Sequence, residues 1–117
     1  MYRFARDGRV GVEAAYTPGA GKSPLLPRFG VTWAMPRTYS RVAWYGRGPQ
    51  ETYWDRQTGG EIGIYESTVD EMVFPYVRAQ DTGNRCDVRW MTLTNQDEMA
   101  RYTSGCEQRQ QCGYGWS

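Results

Sequence analysis

Hydrophobic positions along this chain recur at a spacing of two. Tyr2 and Phe4 alternate with Arg3 and Ala5, Asp7 and Gly8 supply a turn signal, and Val10, Val12 and Ala14 resume the alternation. A β-hairpin is predicted there. Residues 17–27 contain three prolines and two glycines and read as a surface loop. Phe29, Val31 and Trp33 then predict a third strand over 28–34, broken at Met35 and Pro36. Residues 41–45 predict a fourth strand that runs into a turn built on Gly46, Gly48 and Pro49. Beyond a breaker at 57–60, a short strand is expected at 61–65 and a brief helical turn at 67–71, capped by Ser67 with Glu71 nearby. Residues 75–77 and 86–94 supply the last expected strands. In the latter, Val88, Trp90 and Thr92 face one way and Asp87, Arg89 and Met91 the other. Core packing is the expectation for Trp33, Trp44 and Trp90. From Asn95 onward neither alternation nor a helical face is visible, and a loop is predicted. No stretch sustains a helical period, so the fold class is all-β and antiparallel, with a β-sandwich as the expected architecture.

Composition narrows the chemistry. A chain of 117 residues is one domain at most, or part of one. A net charge of +1 suggests neither a nucleic acid nor a membrane surface as partner. The basic residues are almost all arginine, with Lys22 the only lysine, which favours planar pairing with carboxylates. No window approaches the roughly 20 apolar residues of a membrane span, and no signal peptide is seen, so a cytoplasmic location is expected. There is no histidine, which excludes Cys-His zinc sites and Ser-His or Cys-His nucleophilic pairs within this chain. Cys86, Cys106 and Cys112 cannot all pair. Reduced thiols are favoured over a Cys106–Cys112 bridge, and no metal or organic cofactor is expected.

The densest chemistry lies between Trp44 and Arg56. Glu51, Tyr53 and Asp55 alternate and would share one face if extended, with Arg56, Arg85 and Arg89 as candidate partners. A carboxylate among aromatics needs a partner, so a structural Glu51/Asp55–arginine network is predicted to pin this corner. A catalytic reading would make Glu51 and Asp55 an acid and nucleophile about 5–5.5 Å apart, which requires the chain to turn between them. Trp54, next to the turn, is the tryptophan in this run expected to be exposed, and its ring could stack on a pyranose.

Three segments carry a resemblance to a known family. Leu26 to Gly30 is similar to its domain entry. Residues 44–56 fit W-x-G-x-G-P-x-E-x-Y-x-D-R through Trp44, Gly46, Gly48, Pro49, Glu51, Tyr53, Asp55 and Arg56. Residues 75–85 resemble P-Y-V-x-P-Q-E-x-G-x-R through Pro75, Tyr76, Gly83 and Arg85, with Ala79 and Asp81 as conservative departures. The family is the C-terminal, small-chain-type β-sandwich (domain 5) of glycoside hydrolase family 2 β-galactosidases. The resemblance implies a supersandwich of the galactose-mutarotase-like type, of which this chain is an incomplete N-terminal part. Residues 1–94 would form that partial domain and 95–117 a divergent or truncated tail.

The resemblance also implies function. No catalytic residue falls in this chain, because the family's catalytic glutamates lie on the barrel, and its magnesium or sodium ions would be held by other domains. The expected role is to stabilise an enzyme that hydrolyses terminal β-D-galactosides such as lactose, with the barrel and other domains as partners. A galactoside could be touched by Trp54, or by Trp116, which is similar to a family tryptophan near the galactoside site. A free-standing carbohydrate-binding sandwich and the small subunit of a two-chain enzyme are the alternatives. Unpaired strand edges lead us to expect the isolated chain to self-associate or to be marginally stable.

Overall fold

The computed structural model describes residues 1–17, 19–21, 30–95, 101–105 and 114–116. They contain eight strands and no helix, and every strand pair is antiparallel. The chain divides into two compact units, Met1–Ala34 and Met35–Ser117.

In the first unit, β1 (Tyr2–Phe4) pairs with β2 (Val10–Val12) in the register Tyr2↔Val12. The Ala5 N–H donates to the Arg9 carbonyl at 2.8 Å, leaving Arg6, Asp7 and Gly8 as the loop. Gly8 sits at φ +86°, the left-handed position such a loop requires. Asp7 Oδ1 accepts the Arg9 N–H, and its other oxygen pairs with the Arg9 guanidinium, which lowers the Asp7 pKa. The described part of the strand expected over 28–34 is not formed: residues 30–34 are not in a strand, and Val31 and Trp33 are about half exposed. Residues 22–29 lie outside the described residues.

The second unit is built on a four-stranded sheet of order β4-β3-β6-β7. β3 (Arg41–Gly48) and β4 (Glu61–Thr68) pair over their full length, from Arg41↔Thr68 to Gly48↔Glu61. β6 (Trp90–Thr94) pairs with the first part of β3, and β7 (Arg101–Gly105) with β6. β5 (Thr82–Arg85), which lies between β4 and β6 in sequence, pairs with β8 (Tyr114–Trp116) in a separate two-stranded sheet. β7 and β8 lie where the sequence predicted loop. Their backbones gain strand geometry from partners distant in sequence, which local alternation does not record.

One face of the larger sheet carries the core: Val42 and Trp44 from β3, Met91 and Leu93 from β6, with Val88 and Met72 packed on them and Tyr39, Tyr65 and Val69 at the margin. Trp44 is 1% exposed. The expected phase of 86–94 does not hold. Asp87 adopts φ +54°, so the chain bulges, and Val88 joins the same core as Met91 and Leu93. Trp90 is therefore half-buried on the opposite face, in contact with Tyr45 at a ring separation of 6.5 Å. Core packing holds for Trp44 and fails for Trp33 and Trp90.

Strand β4 ends in a single helical turn. Glu71 accepts the Thr68 N–H at 3.0 Å and the Ser67 hydroxyl at 3.2 Å, while Thr68 Oγ1 accepts the Glu71 N–H. This is the reciprocal capping arrangement, with Thr68 as the cap where Ser67 was expected. Residues 75–77 are not a strand: the Tyr76 N–H reaches back to the Phe74 carbonyl at 2.9 Å, a tight turn centred on Pro75.

Candidate functional site

The corner that leaves β3 is made possible by what glycine lacks. Gly46 and Gly48 are both strand residues, and neither has a positive φ. A Cβ on Gly46 would lie 2.8 Å from the Val88 Cα, and one on Gly48 would lie 2.7 Å from the Tyr65 ring. Close approach, not the left-handed conformation, is what these glycines supply. The chain then turns at a cis peptide bond between Gly48 and Pro49.

Beyond Pro49 the corner is bonded to β5 and the residues just after it. Thr52, 1% exposed, donates its N–H to the Asn84 carbonyl at 2.8 Å. Its carbonyl accepts the Asn84 side-chain amide at 2.7 Å, and its hydroxyl accepts the Cys86 N–H at 2.9 Å. The sequence reading assigned no role to Thr52 or Asn84. The signal was a small β-branched hydroxyl residue between two charged or aromatic motif positions.

Glu51 is held from two sides. One carboxylate oxygen pairs with Arg56 at 3.0 Å, and the other accepts the Gly83 N–H at 3.0 Å. Gly83 presents that N–H from φ +73°, which explains glycine there. Tyr53 and Arg56 exchange backbone hydrogen bonds, so the chain folds over between them, and the Arg56 guanidinium lies 5.0 Å over the Tyr53 ring. Arg56 also reaches the Tyr76 hydroxyl at 3.5 Å, and the Tyr76 ring packs at a tilt against Phe74. The Tyr53 hydroxyl donates to the Asp81 carbonyl at 2.9 Å; burial, then the charge of Glu51, raises its pKa.

The predicted carboxylate–arginine network is thus half realised. Glu51 joins Arg56, but the fold at 53–56 takes Asp55 away: it is exposed and has no ion pair or hydrogen bond among the described residues. Arg85 and Arg89 pair with no carboxylate among the described residues. Arg85 is 6% exposed, lies 5.0 Å from the Trp44 ring, and donates to the carbonyls of Pro49 (3.0 Å), Gly83 (3.1 Å) and Asn84 (3.2 Å). Its Nε has no partner among the described residues, and burial pushes its pKa down. Arg89 donates to the Asp87 carbonyl and lies over Tyr45. An ion pair at this corner that the sequence did not signal joins Arg47 and Asp87, 2.5 Å apart, with Arg47 also donating to the Gly60 carbonyl.

Trp54 is 77% exposed, as expected of a turn tryptophan. A groove in the same corner is lined by Gln50, Glu51, Thr52, Arg56, Gly59 and Gly60, and Trp54 is not part of that lining. Trp116 pairs through its backbone with Thr82, at the far end of β5 from Arg85. Cys86 is buried with a free thiol whose pKa is raised by burial; Cys106 and Cys112 lie outside the described residues. No cluster of three His, Cys, Asp or Glu side chains suited to a metal ion exists among the described residues. No helix among them is long and apolar enough to cross a membrane.

Both ends of the corner, Trp44 to Arg56 and Pro75 to Arg85, are now seen to be bonded to each other. Residues 1–112 match the family described as β-galactosidase small chain. The chain belongs to that family. It is 40% identical over 94 residues to the β-galactosidase of Priestia megaterium, covering 80% of this chain and 9% of that protein. The β-galactosidase of Lactobacillus delbrueckii subsp. bulgaricus is 40% identical over 103 residues, 88% of this chain and 10% of its own length. That of Vibrio cholerae is 47% identical over 70 residues, 60% of this chain and 7% of its own. The small-chain family member described here therefore spans about a tenth of the length of these relatives.

Proposed function

We propose that this chain acts as a non-catalytic part of a β-galactosidase, stabilising an enzyme whose other portions hydrolyse terminal β-galactosides such as lactose. The family match over residues 1–112, set against coverage of about a tenth of the relatives, carries this reading. The corner supports it. Retaining glycosidases use two carboxyl groups about 5–5.5 Å apart, one of them free to act as nucleophile. Here the Glu51 carboxylate has both oxygens engaged, and Asp55 is exposed, with no ion pair or hydrogen bond among the described residues. The partners on this reading are the catalytic barrel and further domains of the parent enzyme, which would also hold the metal ions. Trp54, with its exposed ring, is the residue we propose for any galactoside contact among those with a described side chain, and Trp116 is a second proposed contact.

The test is complementation. The Priestia megaterium β-galactosidase lacking its matching 94-residue stretch is coexpressed with this chain, and hydrolysis of a nitrophenyl β-galactoside is followed. Activity is expected only when both polypeptides are present. Turnover by this chain alone would overturn the reading.

A further inference from the structure

On the face of the larger sheet opposite the core, the strand register sets side chains in rows. Ile64, Tyr45 and Trp90 form one row, and Thr68, Arg41 and Thr94 form another further along β3. Between them lie Glu66, Ala43 and Thr92. The methyl group of Ala43, set between taller neighbours, leaves a trough across the strands. Its volume is about 440 Å³, and Trp90 and Ile64 line it together with Arg41, Glu66 and Thr94. Small-molecule sites occupy roughly 300–1,000 Å³ and set an apolar wall against a few polar groups. Two of the lining groups have hydrogen-bonding capacity to spare. The indole N–H of Trp44, in the core, donates to the Arg47 carbonyl at 2.9 Å. The half-buried Trp90 makes no such bond among the described residues, and neither does the carboxylate of the exposed Glu66.

We propose that this trough binds a neutral saccharide, with one pyranose ring laid against Trp90 and Ile64. The mixture of side chains is the reason. The centres of protein interfaces are depleted of charge, whereas Arg41 and Glu66 stand within this lining. An anion would meet the carboxylates of Glu66 and Glu71, and a cation the Arg41 guanidinium. A pyranose presents C–H groups on one face and hydroxyls around its rim, so it asks for an apolar wall opposite hydrogen-bonding groups. The Trp90 ring and Ile64 supply that wall. The Glu66 carboxylate accepts from hydroxyls, and the Trp90 N–H donates to one. This site shares no residue with the galactoside contacts proposed above, and it does not depend on whether the chain serves a larger enzyme.

The test is saturation-transfer NMR on the whole 117-residue chain with lactose as the probe, a readout that self-association of the chain does not block. Magnetisation is expected to pass from the protein to lactose, most strongly to the C–H protons on one face of a pyranose ring. Glu66→Ala changes an exposed strand position, and its circular dichroism is compared with that of the parent chain to show that the fold is kept. It should weaken binding by about fivefold or more, read by titration with lactose. Trp90→Ala should abolish the transfer. Absence of transfer to lactose in the parent chain would overturn the proposal, as would undiminished binding by Glu66→Ala. Transfer lost in Trp54→Ala but kept in Glu66→Ala and Trp90→Ala would move the sugar to the corner and contradict the proposal. None of these results bears on complementation, so the two readings fail separately.

Discussion

At the scale of single residues, two acidic side chains show how context decides their worth. Glu71 is anchored by the Thr68 N–H first, then by the hydroxyls of Thr68 and Ser67, and its pKa is lowered. A depressed carboxylate stabilises the fold above its unfolded pKa, and that contribution disappears as pH falls through the folded value. We therefore expect NMR titration to find Glu71 ionised to lower pH in the folded chain than in a denatured control, with the 68–71 turn loosening as it protonates. Asp55 is the contrast. The sequence placed it in a paired network, but its alternation with Glu51 and Tyr53 ends where Tyr53 and Arg56 bond across the turn. Asp55→Ala should leave the melting temperature unchanged, within about 0.5 kcal/mol, in thermal denaturation.

At the scale of elements, what was legible was what periodicity carries. The β1–β2 hairpin, β3 and the start of β4 were all readable, because each alternates and is bounded by glycine, proline or a turn pair. Contacts between distant segments were not readable. β5, β7 and β8 owe their strand geometry to partners elsewhere in the chain, and the phase of 86–94 is reversed by the left-handed Asp87. The corner motif was visible as a motif, while its bonding through Thr52 and Asn84 was not, since neither residue type declares a partner. Gly46 links the two levels. Its missing side chain lets Val88 enter the core beneath β3, so Gly46→Ala must displace the bulge. We expect a loss of about 1–3 kcal/mol, read by urea denaturation, as for other overpacked cores.

At the scale of the whole molecule, the corner is structural, and on the function proposed above it would serve a much larger enzyme. Its charges are spent on holding segments together: Glu51 between Arg56 and Gly83, Arg47 between Asp87 and Gly60, and Arg85 among three carbonyls over Trp44. A buried arginine with no ion pair among the described residues is tolerable because three carbonyls accept from it, the charge of Glu51 favours its charged form, and the Trp44 ring faces its charge. The central claim is that this arrangement supports catalysis elsewhere without performing it. The measurement that tests it most directly is kcat for the Glu51→Gln form of a chimera in which this chain replaces the matching stretch of the Priestia megaterium β-galactosidase, alongside its melting temperature. A structural Glu51 predicts a lower melting temperature, by the equivalent of about 1 kcal/mol, with kcat within about threefold of the unsubstituted chimera. A fall in kcat of about 10²-fold or more at an unchanged melting temperature would make Glu51 a catalytic acid or base and contradict the account.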